Sequence, residues 1–275
     1  MDKNVPLKII KMKTEILVKD IIEKLEETAP INMAMRWDNP GLLVGHLDAP
    51  VKKVVVAVDA TDEVVNNAIK EKADMIITHH PLIFSGLKKV GETDFIGRRI
   101  LRLAENHIAL YAMHTNFDVT AMAEEAADII GISNRSVLDV TYEDEYGKEG
   151  IGRVGIFSED ITLKEIAVNV RELFHLEGVR VYGDLDSKID IAAVCPGSGH
   201  DMIDAALAAN AKLLITGDIS HHQGIDAVAR GLNIIDASHY GLEKIFVDYI
   251  LDLLKNDFKG IKSVSGKQEE PFVII

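Results

Sequence analysis

The sequence predicts an α/β protein: two interlocked, pseudo-duplicated α/β domains that face each other across a cleft. Three observations carry that expectation. The order strand, turn, helix, strand runs from Val54 to His80 and returns from Ile191 to Asp218, with Ile-Thr closing the second strand of each copy at Ile77-Thr78 and Ile215-Thr216. Of the 275 residues 47% are hydrophobic and only 5% aromatic, the balance of an aliphatic core in a chain long enough to exceed one typical domain. In each half a histidine follows an apolar run and a carboxylate stands four residues further on, as His114 with Asp118 and His239 with Glu243. Parallel α/β units resemble one another in any case, because their strands are apolar and their helices start on small or polar residues. The matching histidine-to-carboxylate spacing is what favours duplication.

Taken in order, Ile16, Leu17, Ile21, Ile22 and Leu25 recur at helical period and predict a helix over about 17–27 that packs on a sheet. The segment before it lacks the apolar stretch of a secretory signal, and Met12 offers an alternative start to Met1. Asn39, Pro40 and Gly41 predict a turn, with a short strand at 42–44. Trp37 beside that turn reads as a residue that caps the core, with lining a site as the alternative; Asp38 is open between the two. After the first copy, Lys88, Lys89, Arg98, Arg99 and Arg102 form the one obvious basic cluster and read as a solvated helix. Residues 144–148 are a charged surface turn. Beyond them Thr162 and Glu165 have capping-box spacing at the start of a helix. His175 reads as the polar end of that helix, and His46 and His107 as ordinary loop or helix-end residues. The turn PGSGHD at His200 has the small residues that let a helix N-terminus accept an anion, but matches no phosphate-loop fingerprint.

Charge and cysteine content narrow the function. Lys plus Arg number 30 against 44 Asp plus Glu, a net charge of −14 that repels a phosphate backbone, so nucleic-acid binding is a minority reading. No segment approaches the roughly 20 apolar residues that span a bilayer. The single cysteine, Cys195, reads as a small buried residue at a strand end and points to a reducing, cytoplasmic setting.

His79 and His80 are the most informative pair. They follow the apolar run Met75–Ile77, at the carboxyl end of a strand, where open α/β sheets build their sites. Adjacent residues on an extended chain point apart, so the two rings serve two metal ions more readily than they chelate one. A polar loop with two surface imidazoles is the bland alternative, weakened by the other two histidine-bearing strand ends. If a helix starts near His114 and near His239, each histidine and its carboxylate share a face and converge. Imidazole and carboxylate suit zinc, iron, manganese, cobalt or nickel, and no cysteine stands nearby to form a thiolate site.

The segments WDNPGLLVG (37–45), ITHHPLIFSGLKKV (77–90), YAMHTNFD (111–118), LLITGDISHH (213–222) and IDASHYGLEK (235–244) resemble, in the same order, the motifs of the dinuclear-metal-centre family called GTP cyclohydrolase 1 type 2, or NIF-three-like. The likeness runs from about Thr14 to the C-terminus. It implies mixed sheets flanked by helices, with residues 1–128 plus 236–275 as one domain, 129–235 as the second, and no inserted third domain. It also implies two divalent metal ions per subunit on His79, His80, Asp118, His239 and Glu243, with Glu243 bridging. A ring-shaped homohexamer with its metal sites facing an internal cavity follows from the same resemblance. The chemistry so implied is hydrolysis of a small-molecule substrate through water activated between two ions about 3.5–4 Å apart, with His114 or His222 moving protons. His221 and His222 are otherwise exposed loop histidines. The family name suggests a nucleotide-like substrate, yet none of these motifs recognises guanine or a triphosphate. The rival readings are a non-catalytic, metal-stabilised assembly or adaptor and, third, a nucleic-acid-binding ring.

Overall fold

A computed structural model describes residues 15–145 and 147–275. Met12 and Thr14 lie outside the described residues. Helix α1 (Val18–Thr28) buries Val18, Ile21, Ile22 and Leu25; Ile21, Ile22 and Leu25 belong to the predicted stripe, whereas Ile16 and Leu17 precede the helix. Strand β1 (Gly41–Val44) follows, and β2 (Lys53–Ala57), α2 (Asp62–Glu71) and β3 (Met75–Thr78) form the first copy of the repeated unit. Helix α3 (Phe95–Glu105) leads to β4 (Ala109–Ala112). One turn of helix, α4 (Thr115–Phe117), then passes through a π-helical turn at Asp118–Met122 into α5 (Ala123–Ile130).

The long strands β5 (Ser133–Glu143) and β6 (Lys148–Thr162) pair as an antiparallel ribbon. Helix α6 (Leu163–Leu173) starts from a capping box in which Thr162 and Glu165 satisfy each other's backbone N–H at 2.8 and 3.2 Å, as their spacing predicts. After β7 (Arg180–Tyr182), the second copy comprises β8 (Lys188–Ser198), α7 (Ile203–Ala208) and β9 (Leu213–Gly217). The chain closes with α8 (His221–Ala229), β10 (Asn233–Asp236), α9 (His239–Glu243), α10 (Ile245–Asp257) and β11 (Lys262–Ser265).

Among the described residues the strands form two mixed sheets flanked by helices. The first has the order β1-β4-β3-β2-β11, parallel except at β1, and the second the order β5-β6-β8-β9-β10-β7, parallel across β8, β9 and β10. The parallel strands β3, β4 and β9 are buried along their whole length, which is why they read as unbroken apolar runs. One apolar core takes Val54, Ile77 and Tyr111 from the first sheet with Leu213, Ile215 and Ile235 from the second, so neither sheet closes its core alone. Smaller clusters lie under α2 and α3 on one side and under α7 and α8 on the other. No helix of the described residues is long and apolar enough to cross a membrane.

The basic cluster divides. Arg98 and Arg99 lie on α3 and pair with Asp62 at 3.2 and 3.1 Å, a surface arrangement. Cys195 is buried, and burial pushes its thiol up, so it is a packing residue.

Candidate metal centre

Register sets the site. Ala57, Thr78 and Ala112 lie side by side in β2, β3 and β4, so the residues that follow them leave the sheet at one edge: Asp59, His79 with His80, and His114. From the second sheet, Thr216 and Asp236 lie side by side in β9 and β10, which sends Asp218 and His239 to the same place. Both sheets therefore aim their carboxyl ends at one cleft.

Four imidazoles meet there. His80 Nε2 is 3.2 Å from His239 Nε2, and Glu243 contacts both rings, Oε2 to His80 and Oε1 to His239, each at 3.1 Å. His79 Nε2 lies 3.5 Å from Glu243 Oε1 and 3.5 Å from Asp118 Oδ1. The His114 ring stands edge-on to His79 and His80, with centroids 5.2 and 5.4 Å away. Two sets of donor atoms close enough to share one ion emerge: His79, His80 and His114, and His80, His239 and Glu243. The i, i+4 expectation is met directly at His239 and Glu243, because α9 starts on the histidine. At His114 the helix starts one residue later, and Asp118 faces the His79 ring instead.

Every ring is held from behind. His79 Nδ1 bonds the Met113 carbonyl at 2.8 Å, His80 Nδ1 bonds Asp59 at 2.8 Å, His114 Nδ1 bonds Asp38 at 2.7 Å, and His239 Nδ1 bonds Asp218 at 2.6 Å. An acceptor on Nδ1 places the proton there and leaves the Nε2 lone pair for the cleft, which is how metal-binding histidines are oriented. Asp38, left open by the sequence, stands behind His114 and also accepts from the Thr115 N–H at 3.0 Å and the Thr115 hydroxyl at 2.5 Å. Burial acts to raise the Asp38 carboxyl, but the hydrogen bonds from His114 and Thr115 outweigh it and hold the group at about 2.

The inner groups are coupled. Burial works against a charge on Glu243, yet the surrounding His79, His239 and His80 rings outweigh it and hold the carboxyl well below its usual range. Asp118 is raised, by burial first and then by repulsion from Glu243. Burial also works against a charged His80, but its bonds to Asp59 and Glu243 push the ring up to about 10; the bond to Glu243 likewise lifts His239 to about 9. Two Nε2 atoms at 3.2 Å repel if both are bare. A shared cation, a proton or a metal ion, is what makes that distance favourable.

Other expectations change. Trp37 does not cap the core: it is 57% exposed and stands with His114 on a cavity of about 300 Å³ that reaches Asp118, His239 and Glu243. Its ring pairs with the exposed Phe84 at 5.7 Å, so an aromatic pair edges the site. His222 does not join the cluster. It is the second residue of α8, exposed, with its ring 5.2 Å from that of His221. The PGSGHD turn serves Glu243: a Cβ on Gly197, whose φ is +76°, would lie 2.5 Å from Glu243 Oε1. The orienting acceptors Asp59 and Asp218 escape sequence reasoning, although each stands just past the end of a parallel strand, the signal that marks the histidines.

The profile of the Duf34/NIF3 (NGG1p interacting factor 3) family matches residues 16–270. The chain is 36% identical over 229 residues to the GTP cyclohydrolase 1 type 2 homolog of Clostridium acetobutylicum, covering 82% of this chain and 85% of that protein. It is 33% identical over 264 residues to the homolog of the same description from Clostridium perfringens, covering 94% and 99%. Among solved structures, a Bacillus cereus protein related to NIF3 superposes with a TM-score of 0.87 at 26% identity, covering 95% of this chain and 99% of that one.

Proposed function

The chain belongs to the Duf34/NIF3 family, and from that premise and the geometry above we propose that it is a metal-dependent hydrolase with two divalent ions in the cleft. One observation supports this most: four imidazoles from two different sheets, each fixed through Nδ1, converge with Glu243 and Asp118 in one cleft. The donor set fits the ions. His79 Nε2 and Asp118 Oδ1 are buried without a hydrogen-bond partner and 3.5 Å apart, an arrangement costly in the absence of a cation. In the proposal His79, His80, Asp118, His239 and Glu243 would hold the ions. His114, whose nitrogen lies with those of His79 and His80, is a further ligand or the group that moves protons. Zinc, iron, manganese, cobalt and nickel all suit nitrogen and carboxylate donors. When bound, such ions supply Lewis acidity and make water a nucleophile at neutral pH.

The chain's own residues do the remainder. Asp38, Asp59 and Asp218 fix ring orientation, and Asp38 keeps the His114 Nδ1 proton in place, leaving Nε2 to accept one. The 300 Å³ cavity admits a small molecule past Trp37. Among the described residues its lining holds no lysine or arginine to pair with a triphosphate. For that reason the proposal stops at hydrolysis and does not extend to GTP. The family resemblance supports a homohexamer, which sedimentation of the purified protein checks, and the single buried cysteine suits a cytoplasmic setting.

The test is a double variant, His79→Ala with Glu243→Ala, assayed for metal content and for turnover across esters, nucleotides and cyclic amides. A folded protein without bound metal and without turnover is expected. Full metal content in the variant overturns the assignment. A second reading has its own support: the ligands come from both sheets, so the ions could serve as a structural staple. Loss of assembly and thermal stability on chelation, with no turnover by the loaded protein, favours the staple.

A further inference from the structure

The last described residues pass directly behind the centre. Strand β11 runs parallel to β2 with Ser265 beside Val56, and the Gly266 N–H bonds the Val56 carbonyl at 2.6 Å. The chain therefore leaves β11 at the edge where β2 delivers Asp59. There Gln268 makes three bonds. Its Oε1 accepts from the N–H groups of Val58 and Asp59 at 3.1 and 2.9 Å, and its Nε2 donates to Asp59 Oδ2 at 2.5 Å. The other oxygen of Asp59 holds His80 Nδ1.

The same segment then reaches the other sheet. The Tyr240 hydroxyl donates to the Gln268 carbonyl at 2.8 Å, and the Ser238 hydroxyl donates to Glu270. Ser238 caps α9 by accepting from the Gly241 N–H at 2.9 Å, and it does so with φ +62° and ψ 158°, a conformation otherwise left to glycine. The next residue is His239, and α9 ends on Glu243. So Gln268 fixes the carboxylate behind His80, and Glu270 fixes the residue that starts the helix bearing His239 and Glu243. His79, His114 and Asp118 have other supports: the Met113 carbonyl, Asp38, and the helical turn after β4.

We infer that residues 266–270 form a strap that positions one half of the centre, the His80–His239–Glu243 trio, through Gln268 and Glu270. The inference rests on the metal reading above. It assigns positioning roles to two residues more than twenty positions beyond the last ligand. Glu270 acts on the His239–Glu243 side of that trio, whereas Gln268 acts through His80, whose nitrogen belongs to both donor sets. Supporting hydrogen bonds of this kind contribute on the order of 10–100-fold to metal affinity.

The experiment titrates full-length protein with cobalt(II) or zinc against a competing chelator and extracts both stepwise affinities. Wild type, Gln268→Ala, Glu270→Ala, Glu270→Gln and, as the reference for loss of the trio's ion, His239→Ala are compared. Glu270→Ala should weaken by tenfold or more the ion that His239→Ala loses, and Gln268→Ala should weaken it likewise while also lowering the affinity for the second ion, which shares His80. Glu270→Gln keeps an acceptor for the Ser238 hydroxyl and should match wild type. Unchanged affinities in both alanine variants overturn the strap, as does a loss in Glu270→Gln equal to that in Glu270→Ala, which reports general loosening. A wild-type chain that takes no ion overturns the metal reading itself, and the strap with it.

Discussion

Gly197 determines how closely the end of β8 can approach Glu243. With φ at +76° and 2.5 Å between an added Cβ and Glu243 Oε1, Gly197→Ala strains the backbone by about 1–2 kcal/mol and displaces the carboxylate. We expect the variant to unfold at lower urea concentration and to lose metal; wild-type metal content would show that Glu243 is free to move aside. Asp218 acts at the next remove. Asp218→Ala frees the His239 ring, and an affinity loss of about 10–100-fold for one ion is expected, with circular dichroism unchanged. At this scale the sequence was legible where chemistry and position coincide. His79, His80, Asp118, His239 and Glu243 are residues of ligand type at strand ends or one helical turn beyond, and the structure gathers them. Asp59 and Gln268 were not legible, because their partners lie 21 and 209 positions away and a carboxylate or amide gives no sign of which ring or backbone it will hold. Trp37 was misjudged for a related reason: a lone tryptophan reads as core until its neighbours Phe84 and His114 are known.

Elements were easier to foresee, since their signals are local. Helix α1 follows from apolar period, β3, β4 and β9 from unbroken aliphatic runs, and α6 from the Thr162–Glu165 spacing. The capping box permits a direct check. Thr162→Ala removes the acceptor for the Glu165 N–H at 3.2 Å and should cost about 0.5–2 kcal/mol of stability, read as a shift in the urea midpoint. Because α6 packs on the shared core and its residues do not line the cavity at the centre, metal affinity should stay unchanged; a fall in both would tie this helix to the centre. The break in helical geometry after β4 was not foreseen. Nothing in TNFDVTAM announces a π-helical turn at Asp118–Met122, which turns Asp118 toward His79 and leaves His114 to Asp38.

For the whole molecule, the centre joins two sheets that already share one core, so occupancy should register as stability. Ligand at about a thousand times its dissociation constant contributes roughly 4 kcal/mol, or on the order of 10 °C in a chain of this size. The dependence on pH should also differ between the empty and loaded states. In the empty protein His80 is pushed up to about 10 and His239 to about 9, against an ordinary value of 6.5. A raised imidazole stabilises the fold fully below about 6.5, and that contribution fades as pH rises through 9 to 10. The chelated protein should therefore melt at progressively lower temperature between pH 7 and 10. Metal must displace those protons, so loading at pH 7.5 should release at least one proton per chain, and affinity should rise with pH. Calorimetric titration in two buffers of different ionisation enthalpy measures the release directly. Identical heats in both buffers would mean that the His80 and His239 rings are already bare, and the 3.2 Å contact between their Nε2 atoms would then need another cation to hold it.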